Sequence, residues 1–146
     1  DVCASDLAGW VDVDKNTLKH TKYGKVWGLG DATNSPNANT AAAVRKQAPV
    51  VASNVLQDMN NNNDLYGYDG YGACPLTVER GKIVLAEFSY GGKLAPSLPT
   101  WLLKGTQATW LAWFLKKVVM PKLYWAGMLK GKETLVSPRK LSDLES

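Results

Sequence analysis

Of the two cysteines in this chain, Cys3 and Cys74, only Cys74 has a setting that suits thiol chemistry. Residues 66–76 are dense in glycine and tyrosine, which reads as a loop, and Pro75 follows the thiol directly. A thiolate is a nucleophile and a redox group, and a loop exposes it where a core strand would not. No second cysteine stands at CxxC spacing, so the residues alone leave an ordinary structural cysteine open. A second candidate is Gly28-Leu29-Gly30-Asp31. An aspartate after a strand can accept hydrogen bonds from the hydroxyls of a polyol. The free N–H groups and positive end of the following helix can face an electron-rich carbonyl edge. An Asx turn would account for Asp31 equally well.

These groups need elements to hold them. Residues 9–18 alternate apolar and polar side chains about a Lys15-Asn16 turn, which predicts a short strand or hairpin. Residues 25–31 read as a buried strand ending at a glycine. Residues 32–39 form a loop rich in Asn, Ser and Pro. A helix is predicted from Thr40, with Thr40 or Asn39 as its cap, to about Met59. Pro49 should kink it, and Val51, Val55, Leu56 and Met59 should face a core. Asn60 through Asn63 end it as a solvated connector. Residues 76–80 and 82–90 should pair across Arg80-Gly81 as a hairpin, and Gly91-Gly92 should turn the chain afterwards. Residues 101–119 read as a helix and Pro121 starts another, reaching about Leu129.

The chain has 146 residues, 45% hydrophobic and 21% charged, enough for one domain with a core and too apolar for wholesale disorder. A net charge of +4 is too small for a nucleic-acid stripe. With a single histidine, His20, and two cysteines, no multi-histidine or structural zinc site is expected. His20, Arg45 and Lys46 read as solvated residues. No window of about 20 apolar residues offers a transmembrane helix. The chain opens with neither a Met nor a signal peptide, which reads as processing or excision from something longer. Trp101, Trp110, Trp113 and Trp125 crowd into the last third among lysines. Such aromatic and basic amphipathic helices can lie in a membrane interface. A subunit interface or an ordinary core is the other reading.

Taken in order, these pieces resemble the C-terminal portion of sulfide:quinone oxidoreductases. Residues 9–31 look like the return to the FAD domain in flavoproteins with two dinucleotide-binding domains, and residues 40–49 like the helix that follows. Residues 68–76 and 83–88 are similar to the redox-cysteine loop of the branch that includes the mitochondrial enzymes. Residues 120–125 and 128–131 look like its membrane-facing C-terminal helices. The resemblance implies an α+β fold, with residues 1–60 ending an FAD/NAD(P)-binding domain. Residues 61–146 would be a redox-cysteine and membrane-associating region. It implies Cys74 as one of two cysteines flanking the flavin, with persulfide chemistry on sulfide and electrons passing to a quinone. Gly30 and Asp31 would hold the FAD ribityl end, and Thr40 and Ala41 would approach the pyrimidine edge. Lys116, Tyr124 and Trp125 would lie near the quinone.

The implied partners are the remaining FAD-binding region, a membrane surface and a quinone, with peripheral membrane localisation and self-association left open. No Gly-rich dinucleotide fingerprint occurs, no partner cysteine can be placed, and Asn39 stands where relatives often have Lys. FAD would therefore bind the full-length parent and not tightly the isolated 146 residues, which should be inactive. A type II NADH:quinone oxidoreductase-like flavoprotein, or a non-enzymatic membrane or partner-binding module, are the rival readings.

Overall fold

A computed structural model describes residues 9–37, 39–132 and 136–144. Helix and strand are mixed, as the α+β reading expects. Helix α1 (Ala41–Met59) is followed by strands β1 (Tyr66–Gly67), β2 (Gly72–Glu79) and β3 (Lys82–Phe88). A helical tail comes next: α2 (Trp110–Phe114), a π turn (Leu115–Val119) and α3 (Met120–Ala126). Strand β4 (Arg139–Lys140) returns to pair antiparallel with β1.

Helix α1 starts where its chemistry says it should. Thr40 is extended, and its hydroxyl accepts from the Ala43 amide at 3.2 Å. The helix runs unbroken through Pro49 to Asn60, and Asn61 takes a left-handed φ of 54° that ends it. Its buried face is only partly the expected one: Val51 packs against the core. Ala43, Gln47, Val50 and Asn54 are buried, whereas Leu56 is 59% and Met59 73% exposed. The reason is what the helix packs against. That surface is largely backbone from turns, so amides that can bond it lie inside. The Asn54 side chain donates to the carbonyls of Thr17 and Tyr66 and accepts from the Tyr66 amide at 2.7 Å. Around these bonds Val13, Leu18, Ala43, Val50 and Tyr68 form one core cluster.

The N-terminal segment turns at Lys15-Asn16 as predicted, with the Asp14 carboxylate accepting from the amides of Asn16 and Thr17. It closes through single bridges, Val13 to His20 and Lys19 to Trp27, and not through a ladder. Residues 25–31 are accordingly not the buried strand expected: Val26 and Trp27 are half-buried and Lys25 is exposed. His20 is buried, not solvated, because its Nδ1 accepts the Lys22 and Tyr23 amides that build the turn.

The hairpin β2–β3 turns at Arg80-Gly81 as predicted, Gly81 taking a φ of 83°. Below it lies a second core cluster of Ile83, Leu103 and Ala112. Residues 101–109 are not helical, against expectation: Trp101 is 82% exposed, and the helix begins only at Trp110, where Thr109 caps it. Thr109 is held there, extended at the cap, by two backbone hydrogen bonds to Ile83.

Candidate active site

Cys74 lies within β2, paired with Ala86, and not in a loop. Loop-like composition misled because the strand is two-stranded and partly open, so it tolerates Gly72 and Pro75. The register explains Pro75. Ala73, Pro75 and Thr77 are the residues whose backbone groups point away from β3. The missing amide of Pro75 therefore falls on the outer edge and costs no ladder bond.

Two side chains occupy that outer edge on either side of Cys74. The Thr40 hydroxyl accepts from the Ala73 amide in a long bond of 3.5 Å, in addition to capping α1. From the other direction Lys116, on the π turn, donates to the Pro75 carbonyl at 3.0 Å and the Thr77 hydroxyl at 3.1 Å. The thiol of Cys74 is partly exposed and unpaired among the described residues; Cys3 lies outside them.

Gly30 is buried with a φ of 69°, and its amide donates to the Gln47 side chain of α1 at 2.8 Å. A Cβ there would stand 3.1 Å from Val44, so the glycine lets this turn sit against the helix. Asp31 follows it, exposed and without a hydrogen-bond partner among the described residues. Ala41, the first residue of α1, is exposed as well. Gly30 and Thr40 are thus joined through α1, and Thr40 and Lys116 through β2. Tyr124 and Trp125 stand apart on α3. They pack edge to face at 5.2 Å, are largely exposed, and share no hydrogen bond with β2 among the described residues. Beside them Phe114, Val118, Leu123 and Ala126 line an open apolar groove of about 500 Å³.

By sequence, three curated proteins named mitochondrial sulfide:quinone oxidoreductase match this chain. That of Dictyostelium discoideum is 42% identical over 97% of the chain, that of Mus musculus 42% over 87%, and that of Schizosaccharomyces pombe 36% over 94%. The chain belongs to the sulfide:quinone oxidoreductase family. It spans 28–32% of the length of these relatives. No family model matches it. Among solved structures, a chain of the cryo-EM structure of the Tetrahymena thermophila mitochondrial ATP synthase is similar. Its TM-score is 0.68 at 27% identity, over 82% of this chain and 28% of that one.

One cluster beside the family's cysteine segment escaped the sequence reading. Glu87 is buried opposite Ala73 and receives the Tyr71 hydroxyl at 2.5 Å and the Ser97 amide at 3.1 Å. The Tyr71 ring lies under Lys46, 4.3 Å from its centroid, while Lys46 pairs with Asp69 at 3.0 Å. Burial, and then the bond to Glu87, push the Tyr71 hydroxyl up to about 12, and burial pushes Tyr90 up to about 12 as well. Burial raises Tyr68 further still. A glutamate on the same face as Ile83 and Leu85 was the available signal, because an inward carboxylate in an apolar strand needs donors.

Proposed function

We propose that the protein containing this chain oxidises sulfide at Cys74 and delivers the electrons to a quinone. The observation that carries this is Cys74 on a strand pinned at its outer edge by Thr40 and Lys116, in a chain 36–42% identical to sulfide:quinone oxidoreductases. Cys74 forms a disulfide or sulfane-bridged pair with a cysteine elsewhere in the whole protein. Hydrosulfide attacks one sulfur of that bridge. The S–S bond breaks, a persulfide remains on the attacked cysteine, and the other leaves as thiolate carrying the electron pair. Loss of two electrons and the persulfide proton from the thiolate and persulfide would re-form a bridge one sulfur longer, from which a nucleophilic sulfur acceptor would remove the extra sulfur atom.

FAD, when bound, supplies the two-electron relay between thiolate and quinone. The residues of this chain fit one end of it. Gly30 holds its turn against α1, Asp31 offers an exposed carboxylate with no hydrogen-bond partner among the described residues, and Ala41 adds almost no bulk at the helix start. Thr40 bonds the amides of Ala43 and, through its carbonyl, Val44, leaving those of Ala41 and Ala42 unpaired inside the helix. Asp31 would hold ribityl hydroxyls, and the free amides would face the pyrimidine carbonyl edge. The nucleotide-binding fingerprint would come from the rest of the protein, so the 146 residues alone should neither retain FAD nor turn over.

The tail would rest on a membrane. Among the described residues no helix is long and apolar enough to cross one. Exposed Trp110, Tyr124 and Trp125 beside Lys117 and Lys122 suit the interface instead. Residues 1–60 would close the FAD domain and residues 61–146 would carry the cysteine and the tail.

The test is anaerobic: sulfide is added to the longest natural form of the protein and flavin absorbance is followed, then quinone is added. Sulfide should bleach the flavin and quinone should restore it, and Cys74→Ala should lower the bleaching rate at least about 10³-fold. Bleaching that survives Cys74→Ala, or flavin reduced by NADH and not by sulfide, would refute the assignment.

A further inference from the structure

We propose that Thr40 is a positioning residue for Cys74, tying the thiol-bearing strand to the start of α1 through the Ala73 amide. This deepens the reading of Cys74 as the redox cysteine and rests on it. Helix α1 and the segment entering β2 run side by side in opposite directions and touch at two levels. Lys46 meets Asp69 and the Tyr71 ring. Six residues nearer the helix start, about 9 Å along its axis, Thr40 meets Ala73. The strand advances about 7 Å between Tyr71 and Ala73, so the two contacts keep pace. Cys74 is the next residue along the strand after this contact with the start of α1.

The hydroxyl of threonine has two acceptor positions and one hydrogen. The amides of Ala43 and Ala73 take both acceptor positions. The remaining O–H hydrogen has no partner among the described residues and is free to donate. Thr40 therefore serves a ligand only as a donor to an acceptor such as a carbonyl oxygen, and its orientation is set by the same two bonds that hold the strand. Loss of the hydroxyl would release Ala73 and the ligand donor together. Serine would keep both, and valine, with the same shape, would keep neither.

The test uses amide hydrogen exchange and sulfide-dependent flavin bleaching in the full-length natural protein. In Thr40→Val the Ala73 amide should exchange about tenfold faster, while the Cys74 and Leu76 amides, which face β3, stay within about twofold. Bleaching should slow about tenfold or more, and Thr40→Ser should restore both readouts. If Thr40→Val does not fold, Thr40→Asn replaces it. That variant still caps α1 but moves the accepting oxygen one bond outward, and Ala73 should again exchange faster. Unchanged exchange at Ala73 in the folded variant would overturn the proposal, as would an unchanged bleaching rate with Ala73 released. If the unsubstituted protein shows no sulfide-dependent bleaching, the functional reading fails, and the exchange at Ala73 still decides whether Thr40 holds the strand.

Discussion

Helix α1 and the helical tail from α2 to α3 cover similar lengths, but only α1 buries polar side chains among its apolar ones. The inner face of α1 carries Gln47, which accepts the Gly30 amide, and Asn54, which makes three bonds to backbone, and it leaves Leu56 and Met59 in solvent. The tail buries Ala112 and leaves Trp110, Val119, Met120, Tyr124 and Trp125 exposed. The first arrangement organises turns, because a side-chain amide has both a donor and an acceptor to offer backbone groups that no ladder pairs. The second leaves apolar surface that another phase or partner could take up. Polar burial here marks the internal scaffold, and apolar exposure marks the outward-facing part.

The comparison breaks most readily at Asn54. Asn54→Ala removes three bonds and strands the Thr17 carbonyl and the Tyr66 amide and carbonyl. It should cost about 3 kcal/mol, read as a lower urea midpoint at unchanged slope. A loss below about 1 kcal/mol would mean that the amide is not what organises the turns. In the tail the expectation reverses. Trp110→Ala with Trp125→Ala should alter stability by less than about 0.5 kcal/mol. Partition of the full-length protein onto vesicles containing phosphatidylserine should fall about tenfold. A large loss of stability would place those indoles in a core instead.

The smallest effect concerns pH and sharpens the contrast from the α1 side. Tyr71 and Tyr90 have hydroxyls pushed up to about 12, and both pack against the α1 core. A raised folded value means that stability is intact below the unfolded value near 10. It declines as pH rises through 10 toward 12, where the unfolded chain ionises and the folded one does not. Denaturation midpoints should fall across that window, and Tyr71→Phe should flatten the fall. An identical slope in the variant would remove Tyr71 from the account.

What the sequence made legible were elements set by local chemistry. Thr40 caps a helix, Asn60 and Asn61 end it and Gly81 turns a hairpin, whereas Pro121 starts no separate helix but lies within the helical run from Trp110 to Ala126. What it hid was decided by contacts distant along the chain. Leu56 and Met59 fit helical spacing but lie away from the turns that α1 covers. Residues 101–109 have helical composition but run through turns to Thr109, which bonds to Ile83. Cys74 looked like a loop residue, because nothing in Gly72 to Pro75 announces a strand whose outer edge is closed by residues 40 and 116. The candidate site was legible as residue types. The meeting of Thr40 and Lys116 on one strand was not, since 76 residues separate them along the chain and only the fold brings them to the same edge.

That edge has a consequence for solubility. A two-stranded hairpin with exposed Leu76 and Val78 would ordinarily invite another strand to extend it. Here the amide of Ala73 is taken, Pro75 has none, and the Pro75 carbonyl holds a lysine. The opposite edge, on β3, is engaged by Thr109, Leu94 and Ala95. A neighbouring copy meets a β2 edge already occupied at Ala73 and Pro75, which opposes strand addition there although Leu76 and Val78 are exposed.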